Sequence, residues 1–222
     1  MKSLARSLIV VLAVMAVPAY GAVLSINSSF ATGLDGWTGI NNSKLDWISS
    51  GGPDGGGYLQ WTDLGDGWGT IVAPSKFVGD LREFDEGVLA FDYKVFTYGD
   101  GLMQYNPIIV KLVTGARTYE YTVATAAEVG ALGTTDWHHF EVSMTAAAWG
   151  VTEFEWELIL RNVKGIQIAV EPAFNSKKPY DVIGVGGIIL QSKDDVGDVP
   201  EPATLTLMGM GALALLRRRC RK

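Results

Sequence analysis

The chain has 222 residues, 24 acidic against 18 basic side chains, a formal charge of −6 and one cysteine. An acidic surface repels phosphate backbones, so nucleic acid is not an expected partner. With Cys220 alone no intrachain disulfide can form, and stability must come from a buried core, which a chain of this length can build.

In chain order, Lys2 and Arg6 precede an apolar run over 8–17, and Ala19-Tyr20-Gly21 offers small residues before a cut after Gly21. These are the three regions of a secretory signal peptide over 1–21, read by the secretion translocon; a first transmembrane helix would need a longer span. One domain is expected over 22–193. It reads as short strands separated by Gly, Pro, Asp and Asn turns, near 23–27, 45–48, 58–62, 70–73, 88–96, 108–113, 118–123, 137–144, 165–170 and 182–190. In the fifth, Leu89, Phe91, Tyr93 and Val95 alternate with Asp92 and Lys94, the pattern of a strand with one face on a core. His138, Phe140, Val142 and Met144 share a face in the same way. The spacing suggests a mainly β fold, an antiparallel β-sandwich rather than a barrel, with one short helix.

The Gly51–Gly57 run lacks the Gly-Lys-Ser/Thr ending of a phosphate loop and precedes a strand, so it reads as a mobile turn. Asp63 and Asp66, in a turn, could supply oxygen ligands to a structural calcium, although the EF-hand pattern is not met. His138 and His139 point to opposite sides of a strand, without thiolates for a zinc site or a Gly-x-Ser-x-Gly elbow for a triad.

Glu153, Glu155 and Glu157 alternate in sequence and on a strand would share one face, as a β-sandwich glycosidase requires. A helix fits better. Thr152 and Glu155 match a capping box, Val151 and Trp156 the staple positions, and Trp156, Ile159, Leu160 and Val163 recur at helical spacing before Gly165 as C-terminal cap. Successive glutamates then diverge by about 200° and cannot converge on one bond. No catalytic residues are assigned.

With that helix, the domain resembles the laminin B module (laminin domain IV) and similar jelly-roll carbohydrate-binding modules. The resemblance rests on Phe30 and Gly33-Leu34-Asp35-Gly36-Trp37, on Gly56-Gly57-Tyr58-Leu59, on Ala73-Pro74-Ser75-Lys76-Phe77 leading to Phe91, and on Trp137 through Gln167 to a closing strand over 185–190. It implies a non-catalytic binding or structural module. Seven tryptophans and eight tyrosines suit stacking on sugars. Trp37, Trp137, Trp149 and Trp156 fall at core positions, whereas Trp47, Trp61, Trp68, Tyr98 and Tyr105 lie beside Gly- and Asp-rich connections and are the candidate glycan contacts, with Trp61 and Trp68 as the platform.

A linker over 194–202 ends in Pro200-Glu201-Pro202, followed by an apolar segment over 203–216 and a basic end over 217–222 that includes Arg217, Arg218 and Arg219. The apolar segment would be roughly 20 Å long as a helix, against about 30 Å of bilayer hydrocarbon. The basic end stays cytoplasmic, and the prolines keep an extended, cleavable backbone outside the lipid. These three parts resemble the PEP-CTERM sorting signal of Gram-negative bacteria. That resemblance implies export, transient inner-membrane insertion, cleavage by an exosortase and a place at the cell surface or in a biofilm or exopolysaccharide matrix. The other reading is a short tail anchor. Without the two basic residues of the leader and the five of the tail, 11 Lys and Arg face 24 Asp and Glu, a formal charge of −13. Three functions follow as expectations: a polysaccharide-binding matrix module, a glycosidase using Glu153, Glu155 or Glu157, and a self-associating structural protein.

Overall fold

Alternating apolar side chains build strands here because each sheet buries one face. A computed structural model describes residues 23–41, 43–65, 68–115, 117–177 and 181–193. The strands are β1 (Ser25–Ser28), β2 (Thr38–Ile40), β3 (Ser43–Ile48), β4 (Tyr58–Asp63), β5 (Thr70–Val72), β6 (Val88–Thr97), β7 (Asp100–Tyr105), β8 (Ile108–Val113), β9 (Thr118–Ala124), β10 (His138–Ser143), β11 (Gly165–Ala169), β12 (Ala173–Lys177) and β13 (Val182–Gln191). Helix α1 (Ala126–Ala131) precedes β10 and α2 (Glu153–Leu160) follows it.

All pairings are antiparallel. One sheet runs β10-β6-β13-β4-β3, with β1 also on β13; the second runs β2-β5-β11-β8-β9. Between them lies one core. The first sheet contributes Leu59, Trp61, Leu89, Phe91, Tyr93, Val95, Ile183, Val185 and Leu190, and the second Ile71, Val110, Leu112, Ile166 and Ile168. The fold is thus the expected mainly β sandwich.

Three strands and a helix escape the sequence reading. Strands β7 and β12 pair as a separate ribbon that prolongs β8 and β11 beyond Pro107 and Pro172. Proline cannot donate to a sheet ladder, so the ladder breaks there. Helix α1 carries a complete capping box: Glu128 N–H donates to Thr125 Oγ1, and Thr125 N–H donates to the Glu128 carboxylate. In α2 the box is half closed. Glu155 N–H donates to Thr152 Oγ1, but the Glu155 carboxylate turns away to Tyr119. Gly165 is not the cap of α2: the helix ends at Leu160 with Arg161 as C-cap, and Gly165 opens β11. The Gly51–Gly57 turn is closed by Gly52 N–H on Gly56 O (2.9 Å) and Gly55 N–H on Gly52 O (2.9 Å).

Candidate functional site

Because Ile71, Ile166, Ile168, Val110 and Leu112 point into the core, their neighbours point out. Register places Thr38, Val72, Gln167, Lys111 and Glu120 in one row across the outer face of the five-stranded sheet. A second row holds Ile40, Thr70, Ala169, Ile109 and Thr122, of which Thr70, Ala169 and Ile109 are buried and only the two ends are exposed. Trp68 adjoins the first row, with Lys111 Nζ 5.9 Å from its ring centroid. The same ammonium lies 2.8 Å from Glu120 Oε1. The result is an indole, 44% exposed, with an ammonium over its ring, and that ammonium's strand is flanked by the Gln167 amide and the Glu120 carboxylate. An apolar ring face next to such polar groups matches a pyranose, which has a C–H face and a hydroxyl edge.

The segment that carries Trp68, just before β5, is held by its backbone. Trp68 O accepts from Asn41 Nδ2 (3.0 Å) and Thr70 Oγ1 (3.2 Å), and Gly69 N–H donates to Glu171 Oε2 (2.7 Å). Gly69 O accepts from Val170 N–H at 2.9 Å. Glu171 is only 5% exposed, and burial pushes its carboxyl up to about 7, with Asp63 adding to the rise and the Gly69 N–H opposing it. Glycine is required at position 69 because a Cβ there would lie 1.9 Å from Trp61 Cζ2.

That contact corrects the expected platform. Trp61 is fully buried on the inner face of β4, with Gly69 against its ring, so it supports the Trp68 segment from within and offers no face to a sugar. Nor do the other aromatics join Trp68. Trp47 belongs to β3 of the opposite sheet, with its indole N–H on Phe30 O (2.7 Å). Tyr98 and Tyr105 meet edge to face at 5.3 Å; Tyr98 donates to Val129 O, and Tyr105 covers Gly130 of α1. They dock the helix. Among the core candidates, Trp37, Trp149 and Trp156 are buried, while Trp137 packs edge-on against Tyr58 and Phe96.

Asp63 is buried and accepts the Gly65 N–H at 2.9 Å, while Asp66 lies outside the described residues. Among the described residues no group of three or more His, Cys, Asp or Glu is arranged to hold a metal ion. His139 Nδ1 lies 3.0 Å from Asp92 Oδ1, its partner across the strands, and His138 Nε2 lies 2.9 Å from Leu132 O. Glu153, Glu155 and Glu157 lie on α2: Glu155 accepts from Tyr119, and Glu157 accepts from Arg161 at 2.6 Å. Sequence reasoning missed Lys111, Glu120 and Gln167. The signal for Lys111 and Gln167 is a lone polar residue inside an apolar strand, as in Ile108-Ile109-Val110-Lys111-Leu112, and for Glu120 it is the polar side of an alternating strand, Thr118-Tyr119-Glu120-Tyr121-Thr122.

The leader with Gly21, the Pro200-Glu201-Pro202 motif, the apolar segment over 203–216 and Arg217, Arg218 and Arg219 lie outside the described residues. Among those described, no helix is long and apolar enough to cross a membrane. Residues 198–222 match the family model of the PEP-CTERM protein-sorting motif, and the terminus carries that motif. It implies export and a surface or extracellular location in a Gram-negative bacterium.

No curated protein sequence matches the chain. Among solved structures, it is similar to an exo-β-agarase at 10% identity and a TM-score of 0.50, over 72% of this chain and 24% of that one. The CBM22-1 xylan-binding domain of Paenibacillus barcinonensis Xyn10C is 17% identical, with a TM-score of 0.45 over 76% and 94%. The L4b domain of human laminin alpha-2 is 13% identical, with a TM-score of 0.40 over 56% and 70%. The fold therefore has laminin L4b and CBM22 β-sandwich domains among its structural neighbours. The chain spans about a quarter of the length of the agarase.

Proposed function

We propose that the protein is exported, processed by an exosortase-type protease at the Pro200-Glu201-Pro202 motif and retained in an extracellular polysaccharide matrix. Its sandwich acts there as a non-catalytic glycan-binding module. The observation that carries this reading is the part-exposed Trp68 ring with the Lys111 ammonium over it, in a sheet row where Lys111 is flanked by Gln167 and Glu120. A neutral or weakly charged polysaccharide would lay a sugar ring on Trp68 and point hydroxyls at the row. The sorting motif supports the location, because it delivers the domain to the side of the membrane where such polymers lie. Glycoside hydrolysis is not favoured: Glu155 and Glu157 are engaged with Tyr119 and Arg161 on a helix away from that face.

Fractionation of the producing bacterium tests the proposal. Wild-type protein should sediment with extracellular polysaccharide and be released when that polymer is digested, while a larger share of Trp68→Ala protein should pass into the soluble medium. Equal retention of the two forms would rule out the Trp68 face.

A further inference from the structure

Helix α2 and Thr114, Gly115 and Arg117, which lie between β8 and β9, border an open cleft of about 610 Å³, on the side of β9 opposite to Glu120. Its walls are unusual for a helix edge. Phe154, 72% exposed, is the most exposed of the large hydrophobic side chains among the described residues, and Leu158 one turn later is also exposed. Tyr119 faces them from β9, with Arg117 and Asn162 at the rim.

The acidic group in the cleft is placed at a cost to the helix. Glu155 occupies the third position of α2, where α1 uses Glu128 to return a hydrogen bond to the cap backbone. Glu155 instead accepts from Tyr119 Oη at 2.9 Å and lies 3.8 Å from Arg117 Nη1. The helix forgoes one capping bond, a tyrosine ring and a carboxylate are joined along one wall, and an exposed guanidinium lies beside them. Arg117 and Glu155 offset each other, so the cleft carries no net charge with which to select an ionic ligand.

We propose that this cleft is a second saccharide-binding site, which takes one or two sugar units of a neutral glycan with a pyranose face on Phe154 and hydroxyls on Glu155, Arg117 and Asn162. Aromatic walls with a neutral, directional polar rim are the chemistry of a sugar pocket, and the volume falls within the range of about 300–1,000 Å³ typical of ligand sites. The inference rests on the polysaccharide-binding reading for its ligand class, while its residues are separate from the Trp68 face. Two sites on one module let it bridge two chains, or hold one chain more tightly through effective concentration.

Nuclear magnetic resonance of ¹⁵N-labelled protein purified from cells, titrated with xylohexaose, cellohexaose and agarohexaose, tests it. The expected result is saturable shifts of amides in 114–119 and 152–162 with at least one saccharide, kept in Trp68→Ala and weakened at least tenfold in Phe154→Ala. Shifts confined to the Trp68 face would overturn the second site and leave the first. Shifts confined to the cleft would do the reverse, and no shift with any of the three would remove both.

Discussion

Trp61 and Trp68 lie seven residues apart and have opposite fates, and the difference was partly written in the sequence. Leu59 and Trp61 alternate on β4, which marks an inward face, but the Asp- and Gly-rich stretch that follows suggested a loop for both tryptophans. What no local pattern reveals is the close approach of Gly69 to the Trp61 ring. Adding a methyl there should cost about 1–3 kcal/mol through overpacking. We therefore expect Gly69→Ala to lower the denaturant midpoint and weaken glycan binding together. Trp68→Ala should leave the free energy of unfolding within about 0.5 kcal/mol of wild type, as surface changes do. Glu171 gives a pH dependence with a definite sign. Its folded-state value of about 7 lies above the ordinary glutamate value of 4.5, so its contribution is complete below pH 4.5 and is lost as the pH rises through 7. The loss is on the order of 3 kcal/mol. Guanidinium unfolding between pH 4 and 8 should show this decline, and Glu171→Gln, which keeps an acceptor for Gly69, should flatten it; an unchanged slope in the variant would refute the assignment.

At the level of elements, the helix over 153–160 was legible because two signals coincided, a Thr cap and an apolar repeat at helical spacing. The α1 box Thr125-x-x-Glu128 carries the first signal without the second, since only Val129 of that helix is buried. Strands β7 and β12 were hidden for a different reason: β7 is exposed along most of its length, so no face alternates. Their pairing depends on being continued from β8 and β11. Thr152→Ala should cost about 1 kcal/mol, the usual loss of a cap. Hydrogen exchange should show faster exchange confined to the first turn of α2. Truncation of Trp156, buried and stacked on Trp149 at 5.8 Å, should cost about 3–5 kcal/mol instead.

For the whole molecule, strand alternation was enough to indicate an antiparallel sandwich, but not the sheet order. The closing strand β13 lies between β6 and β4 and also pairs with β1, contacts separated by most of the domain's length. The site depended on that order too, because Gln167, Lys111 and Glu120 become neighbours only when β11, β8 and β9 are laid side by side. The sorting motif needed no fold and was readable directly. Affinity electrophoresis through gels containing xylan, agarose or the bacterium's own exopolysaccharide tests the central claim most directly. Wild-type protein should be retarded by at least one polymer, with Trp68→Ala and Lys111→Ala retarded less and Trp47→Ala unchanged. Free migration of the wild type in all three gels, or equal retardation of wild type and Trp68→Ala, would contradict it.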